Sequence, residues 1–401
     1  MRSVDEHLAE ILSVVQPLAS LEVGLLDAHG CVLAEDVVAT AAIPPYDVAA
    51  LDGYAVRTPD VAAAPLVLPV VGDVVAGTAS PLSVQPGLSV RITAGALMPS
   101  GADAVVPAAW TDRGLAQVRV DRPVSAGLGV LRAGADIPAG DTVLAAGTHL
   151  GSAQIGLAAG VGRARLVVRP RPRVVVLSTG NELVEPGAPA GPGQHPDANS
   201  LALTTACLEA GAIAYRVGIV RDDSRSLYDT LEDQLVRADL IVVSAGFSAS
   251  SYDAIREVLS RLGQVAFQEV AMAPGTMHGF GTIGPDVTPV FGLPGDAVGA
   301  QVSFEAFVRP ALRRMLGVPQ LNRPVVSARA GADLSSPPGR RSYVRAWLEV
   351  KDGAYVVTPV PSTSVVAGLS RANALAVVPE SVDHVAAGSA VQVVMLERRG
   401  L

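Results

Sequence analysis

The chain has 401 residues, enough for roughly two to four domains at about 150 residues each. Hydrophobic residues make up 49% and charged residues 17%, which excludes a highly charged disordered chain. A net charge of −8, with no basic cluster beside an apolar anchor, argues against a nucleic-acid partner.

In chain order, Ser3-Val4-Asp5-Glu6 has the form of a capping box. Val4, Leu8, Ile11, Leu12 and Val15 then recur at helical spacing up to Pro17, predicting a first helix of about four turns. From Leu21 to about Val168 the pattern turns to short β segments, Val67–Val71, Ser89–Ile92, Ala104–Val106, Gln117–Val120 and Thr142–Leu144, separated by Gly and Pro. Arg169-Pro170-Arg171-Pro172 is a stiff punctuation where a domain boundary is expected. Beyond it, strands at Arg173–Leu177, Tyr215–Val220, Leu240–Ser244 and Pro289–Phe291 alternate with helices at Asn199–Ala210, Ser224–Arg237, Asp253–Leu262 and Val298–Leu316. That alternation predicts an α/β layer with a parallel-rich sheet. The last segments, Ser342–Val350, Ala354–Pro359, Leu375–Val378 and Ala390–Leu396, predict a small β-barrel or sandwich. Apolar runs break well short of the roughly 18 residues a membrane span needs. The early acidic residues Asp5 and Glu6 do not resemble a signal peptide, so a cytoplasmic location is expected.

Three strands of the α/β part end in turns of small residues: Ser178-Thr179-Gly180-Asn181-Glu182, Ser244-Ala245-Gly246-Phe247-Ser248 and Gly292-Leu293-Pro294-Gly295-Asp296. In a parallel sheet these turns share the carboxyl edge, where backbone N–H groups can approach a phosphate. The acidic residues beside them, Glu182, Asp253 and Asp296, suit a metal ion or hydroxyl recognition. For one turn the plainer reading is a tight strand-to-helix connection; for three together the two readings weigh about equally. Asp52-Gly53-Tyr54 by itself reads as a turn. There is no G-x-G-x-x-G, no Walker-type loop, no nucleophile elbow and no zinc-type histidine spacing. Cys31 and Cys207 are isolated and read as buried hydrophobes.

Taken together the motifs resemble the MoeA family, the molybdenum insertases whose animal relative is the E domain of gephyrin. The resemblance rests on Ala50-Leu51-Asp52-Gly53-Tyr54-Ala55-Val56, Arg91-Ile92-Thr93-Ala94-Gly95-Ala96, Gly101-Ala102-Asp103-Ala104, Arg132-Ala133-Gly134-Ala135-Asp136-Ile137 and Ser178-Thr179-Gly180-Asn181-Glu182-Leu183. Tyr252-Asp253, Pro274-Gly275, Gly292-Leu293-Pro294-Gly295, Gly339-Arg340 with Arg345, and Ala372-Asn373 extend it along essentially the whole chain. It implies an elongated domain I (residues 1–46 and 141–169, its first helix packing on domain III) and an inserted β-rich domain II (47–140). A MogA-like α/β domain III (170–318) and a C-terminal β-barrel domain IV (319–401) follow.

The resemblance further implies a head-to-tail homodimer in which adenylylated molybdopterin and molybdate meet and molybdenum passes to the dithiolene. Carried over, the catalytic set is Asp52, Asp136, Glu182, Asp222 and Asp253, with Glu182, Asp222 and Asp253 holding Mg2+. The substrate-binding set is Thr179, Gly180, Ser244, Gly246, Ser248, Pro274, Gly275, Pro294 and Gly295. A molybdopterin adenylyltransferase-type protein is the implied partner.

The anion-binding side departs from the family pattern. The threonine of R-I-x-T-G-A falls on Ala94, with Thr93 beside it as a substitute. K-P-G-K-P reads Ala273-Pro274-Gly275-Thr276-Met277, and G-L-P-G-N-P reads Gly292-Leu293-Pro294-Gly295-Asp296-Ala297. Two cations are lost and one carboxylate is added, although Lys351 is the chain's single lysine and arginine is abundant. At an effective dielectric near 20, one lost contact at about 4 Å is roughly 4 kcal/mol of gross Coulomb energy. Arg91, Arg132 and Arg256 are candidate replacements. The alternative expectation is a catalytically impaired, gephyrin-like dimeric scaffold that binds a peptide tail of a cell-division protein such as FtsZ, around Pro359–Ser364 and Leu312–Leu316.

Overall fold

The first helix forms where the pattern predicts it, at Val4–Val14, with both capping-box bonds made: Glu6 N–H donates to Ser3 Oγ at 3.2 Å and Ser3 N–H to Glu6 Oε2 at 2.9 Å. The computed structural model describes residues 1–78, 82–246, 249–361, 363 and 365–396, with backbone alone for 249–253. Contacts divide the chain into two compact units, residues 1–22, 30–34 and 167–401 in one, residues 23–29 and 35–166 in the other.

The first unit is built on a six-stranded sheet. Its strands are β1 (Arg173–Thr179), β2 (Ile213–Val220), β3 (Leu240–Ala245), β4 (Gly263–Glu269), β5 (Met277–Ile283) and β6 (Thr288–Pro294). They lie in the order β2-β1-β3-β6-β5-β4. The four strands β2, β1, β3 and β6 run parallel, as the alternation predicted; β5 and β4 add an antiparallel edge. Along β1, Val174 and Val176 enter one core while Val175 and Leu177 enter the other. A strand buried on both faces needs such an unbroken apolar run. The first core also takes Val4, Ile11 and Val15 of the N-terminal helix together with Phe304, Phe307 and Leu312. Helix Ala297–Ser303 continues through a π turn, Phe304–Val308, into helix Arg309–Met315.

Five further strands of this unit close into a barrel: β7 (Val325–Ala330), β8 (Arg341–Lys351), β9 (Ala354–Pro359), β10 (Ala374–Val378) and β11 (Ala390–Met395). The ring runs β8-β9-β7-β11-β10 and back to β8, so the barrel reading holds and no edge is left open. Buried Asn373 serves the ring, its Oδ1 accepting from Leu348 N–H at 2.6 Å and its Nδ2 donating to Leu348 O at 2.9 Å. A two-residue strand, Met272–Ala273, pairs in parallel with Arg341–Ser342 at the start of β8. Arg169 and Arg171 of the punctuation segment are both engaged, on Leu18 O and on Gly211 O and Ala212 O.

The second unit holds a five-stranded sheet in the order Ala104–Pro107, Gly53–Val56, Ser89–Ile92, Leu66–Val74, Gln117–Val120. Gly53-Tyr54 is therefore strand and not turn. A Cβ on Gly53 would lie 2.0 Å from Val106 O, so only glycine permits the pairing of Gly53 with Pro107. Helix Ser152–Gly160 lies within a stretch that the sequence pattern read as β structure throughout.

Candidate functional site

The carboxyl ends of β1, β3 and β6 open into a cleft of about 520 Å3 lined by Thr179, Glu182, Ser244, Gly246, Gly295 and Asp296, among others. Each wall has a local cause. Thr179 ends β1, and its hydroxyl bonds Asp222, which follows neighbouring β2. Glu182 folds its carboxylate over Gly180, where a Cβ would meet Oε1 at 2.7 Å. Asn199 Nδ2 donates to Ser244 Oγ at 2.9 Å and to Gly295 O at 2.7 Å, fastening a helix start to two strand ends. Ser244 Oγ in turn donates to Pro294 O at 3.2 Å. The Pro274-Gly275 turn packs against this edge: a Cβ on Gly275 would lie 3.0 Å from Pro294 Cγ and 3.1 Å from Ser303 Oγ, and its φ is +78°.

Sequence reasoning missed Asp197 and took Asn199 only as the first residue of a helix. Asp197 is buried and accepts from Ser178 Oγ at 3.0 Å, from Ser200 N–H at 3.1 Å and from Ser200 Oγ, with Arg216 Nη2 at 3.4 Å. Burial pushes its carboxyl up, but the Ser200 and Ser178 bonds and Arg216 outweigh it and hold the group below the ordinary carboxylate value. The signal was there as Asp197-Ala198-Asn199-Ser200, four small or polar residues between a Gly/Pro loop and an apolar helix.

The expected residues do not all meet here. Ser248 lies outside the described residues, as does the side chain of Asp253. Asp52 and Asp136 belong to the second unit. There Asp52 lines a cavity of about 380 Å3 with Tyr54, Arg91 and Thr93, its Oδ1 accepting from Ala94 N–H at 2.8 Å. Asp136 is exposed and does not line that cavity. Thr93 is already engaged, its hydroxyl accepting from Ala76 N–H at 3.0 Å. Among the described residues no three His, Cys, Asp or Glu side chains come together for a metal ion. Glu182 and Asp222 nonetheless offer the hard oxygen donors that Mg2+ takes.

The charge argument changes in three places. The added carboxylate of Asp296 is occupied, accepting from Gly299 N–H at 2.7 Å as the cap of helix Ala297–Ser303. It also faces Arg345, whose guanidinium burial pushes down and Asp296 pulls up. Two of the candidate replacement arginines are spent within the second unit, Arg91 on Asp73 at 2.6 Å and Arg132 on Asp47 at 2.5 Å. Arg256 is exposed on helix Ala249–Leu262. A different arginine stands at the turn, since Arg340 Nη1 donates to Thr276 Oγ1 at 3.2 Å.

Three family models match in order: the MoeA N-terminal region (domains I and II) over residues 2–162, a probable molybdopterin binding domain over 175–314, and the MoeA C-terminal region (domain IV) over 327–396. Molybdopterin molybdenumtransferase 1 of Mycobacterium tuberculosis is 40% identical over 426 residues, covering all of both chains. The chain belongs to the MoeA family. Molybdopterin molybdenumtransferase 2 of the same organism is 41% identical, over 98% of this chain and 99% of its own. The structure of the MoeA protein from Pyrococcus horikosii superposes with a TM-score of 0.82 at 32% identity, covering 98% of this chain and 99% of its own. Among the described residues of this MoeA chain no helix is long and apolar enough to cross a membrane.

Proposed function

We propose that this protein is a molybdopterin molybdenumtransferase of molybdenum-cofactor biosynthesis, taking adenylylated molybdopterin and molybdate as substrates. The observation that carries the reading is the cleft at the strand ends, where Thr179, Glu182, Ser244 and Gly295 converge. Small residues let backbone N–H groups reach the phosphates, while Asn199 holds Ser244 and Gly295 in one arrangement. Glu182 and Asp222 would hold Mg2+, with Asp253 as a third ligand; the ion would neutralise the charge of the phosphates. Water attacks the adenylyl phosphorus, the phosphoanhydride bond breaks, and AMP leaves, freeing molybdopterin to take molybdenum. Homodimerisation is part of the proposal, with Asp52 and Asp136 of the partner subunit completing the cleft, and so is the four-domain division. Supply of the adenylylated substrate implies an adenylyltransferase-type partner.

Complementation of a strain lacking its insertase, scored by a molybdoenzyme activity, tests the reading. Restored activity that the Glu182→Gln and Asp222→Asn variants abolish is the expected result. A folded wild-type chain that restores nothing and binds neither substrate in isothermal titration would overturn it in favour of the peptide-binding scaffold.

A further inference from the structure

In the second unit the turn 111–114 is clamped from both ends. Arg113 N–H donates to Thr111 Oγ1 at 3.1 Å, and Asp112 Oδ1 accepts from Gly114 N–H at 3.1 Å and from Arg119 N–H at 2.9 Å. The Tyr54 hydroxyl donates to Gly114 O at 2.9 Å, and a Cβ on Gly114 would lie 1.8 Å from Gln117 O. Inside this frame Arg113 takes a left-handed backbone, with φ +58°. That conformation is uncommon and strained for any residue but glycine; it persists only where its surroundings impose it, and such residues gather at functional sites. The bonds that hold the turn use the Arg113 backbone and leave its side chain unspent.

That side chain lines the cavity of about 380 Å3 that also holds Asp52. Two arginines line it, and one is neutralised: Arg91 makes bonds of 2.6 Å to both oxygens of Asp73. Among the described residues the exposed Arg113 guanidinium is paired with no carboxylate, and it lies near enough to act on the Tyr54 phenol. Asp52 has one oxygen committed to Ala94 N–H at 2.8 Å, and its other oxygen has no partner among the described residues. A ligand in this cavity therefore meets a fork of N–H donors and a carboxylate that only accepts. A bare dianion satisfies the first and is repelled by the second. A phosphate ester whose sugar carries hydroxyl groups satisfies both, and a cavity of this volume is within the range that small ligands fill.

Resting on the functional reading above, we propose that Arg113 binds the phosphate of the substrate's nucleotide half, with Asp52 accepting from a ribose hydroxyl beside it. The left-handed backbone at Arg113 is kept for where it sends the guanidinium and not for the stability of the turn. Tyr54, through Gly114, fixes the turn before the ligand arrives.

The test is isothermal titration of the full chain with AMP and with adenosine, alongside thermal melting. Arg113→Gln, which keeps a donor but no charge, should weaken AMP binding about tenfold and leave adenosine binding unchanged, with little change in melting. Arg113→Lys should recover part of the loss. Arg113→Gly separates the two roles of the residue: glycine takes a positive φ without strain, so melting should hold or rise while AMP affinity falls as far as in Arg113→Gln. Unchanged AMP affinity in Arg113→Gln would overturn the inference and leave the functional reading standing. So would an equal loss for AMP and adenosine, or a wild-type chain that complements but binds no AMP. A wild-type chain that neither binds AMP nor complements would remove the functional reading, and this inference with it.

Discussion

Asp197→Asn is the sharpest test of how the cleft is held. The wild-type carboxylate is almost fully buried, with Ser178, Ser200 twice, and Arg216 directed at it. Asparagine keeps one acceptor oxygen but turns an NH2 group toward donors. The Ser200 hydroxyl can rotate to accept; Arg216 cannot, although Ser200 Oγ at 2.6 Å and Glu185 at 2.8 Å remain as its partners. One or two charge-assisted bonds are therefore lost, a cost of about 2–4 kcal/mol. For a unit of this size that is a fall in melting temperature of roughly 4–16 °C. The pH dependence follows from the lowered carboxyl. Its stabilisation is complete above the ordinary carboxylate value near 4 and is lost only as pH falls through the lower folded-state value. Differential scanning calorimetry of both proteins should give a gap that is constant from about pH 8 to pH 5 and narrows below about pH 4. A gap under about 2 °C, or one that closes by pH 6, would refute the account of Asp197 as a charged hub.

A buried histidine pair and a strand glycine make two further predictions. Burial pushes His7 down to about 4 and His278 to about 3, with Arg2 acting on the first and His7 on the second. Arg2, Glu10, Gln268, Ser303 and the Thr276 backbone face the pair. Because the unfolded chain takes up protons below about pH 6.5 and the folded chain does not, stability should fall by roughly 2 kcal/mol per histidine between pH 7 and pH 5. His278→Gln should halve that slope in urea unfolding, and a flat profile in the wild type would contradict the burial argument. In the second unit, Gly53→Ala places a methyl group 2.0 Å from Val106 O. It should cost several kcal/mol and speed hydrogen exchange across Gly53–Val56 and Ala104–Pro107. A melting curve indistinguishable from wild type would refute it.

What the sequence made legible depended on how local the cause was. The capping box at Ser3, the parallel strands and four of the five barrel strands each carry their pattern within one segment and were read from it, whereas β7 (Val325–Ala330) was not. Strands β4 and β5 were not read from the sequence, and β5 carries Gly279 and Gly281 in its middle. In the sheet those glycines are what close approach demands, since a Cβ on Gly281 would lie 1.9 Å from Gln264 O. Gly53 misled for the same reason. At the cleft, Thr179, Glu182, Ser244 and Gly295 could be read from the turns that end their strands. Asn199 and Asp197 could not, because their roles exist only once a helix start is brought against two strands distant in sequence. Counting charges at the turn was likewise misleading: the sequence reading weighed Asp296 as an added repulsion, whereas its carboxylate caps a helix.

The two-residue pairing of Met272–Ala273 with Arg341–Ser342 joins the cleft's turn to the barrel. A ligand that touched both the turn and the barrel would link its own binding thermodynamically to the attachment of the barrel. At a concentration one hundred times its Kd, such a ligand would strengthen the attachment by about 2.7 kcal/mol. The same linkage runs backwards. A lesion that loosens the barrel, such as one at Asn373 where the ring is tied to Leu348, would lower affinity for a ligand it never touches, and ligand affinity would serve as a gauge of how firmly the barrel is seated.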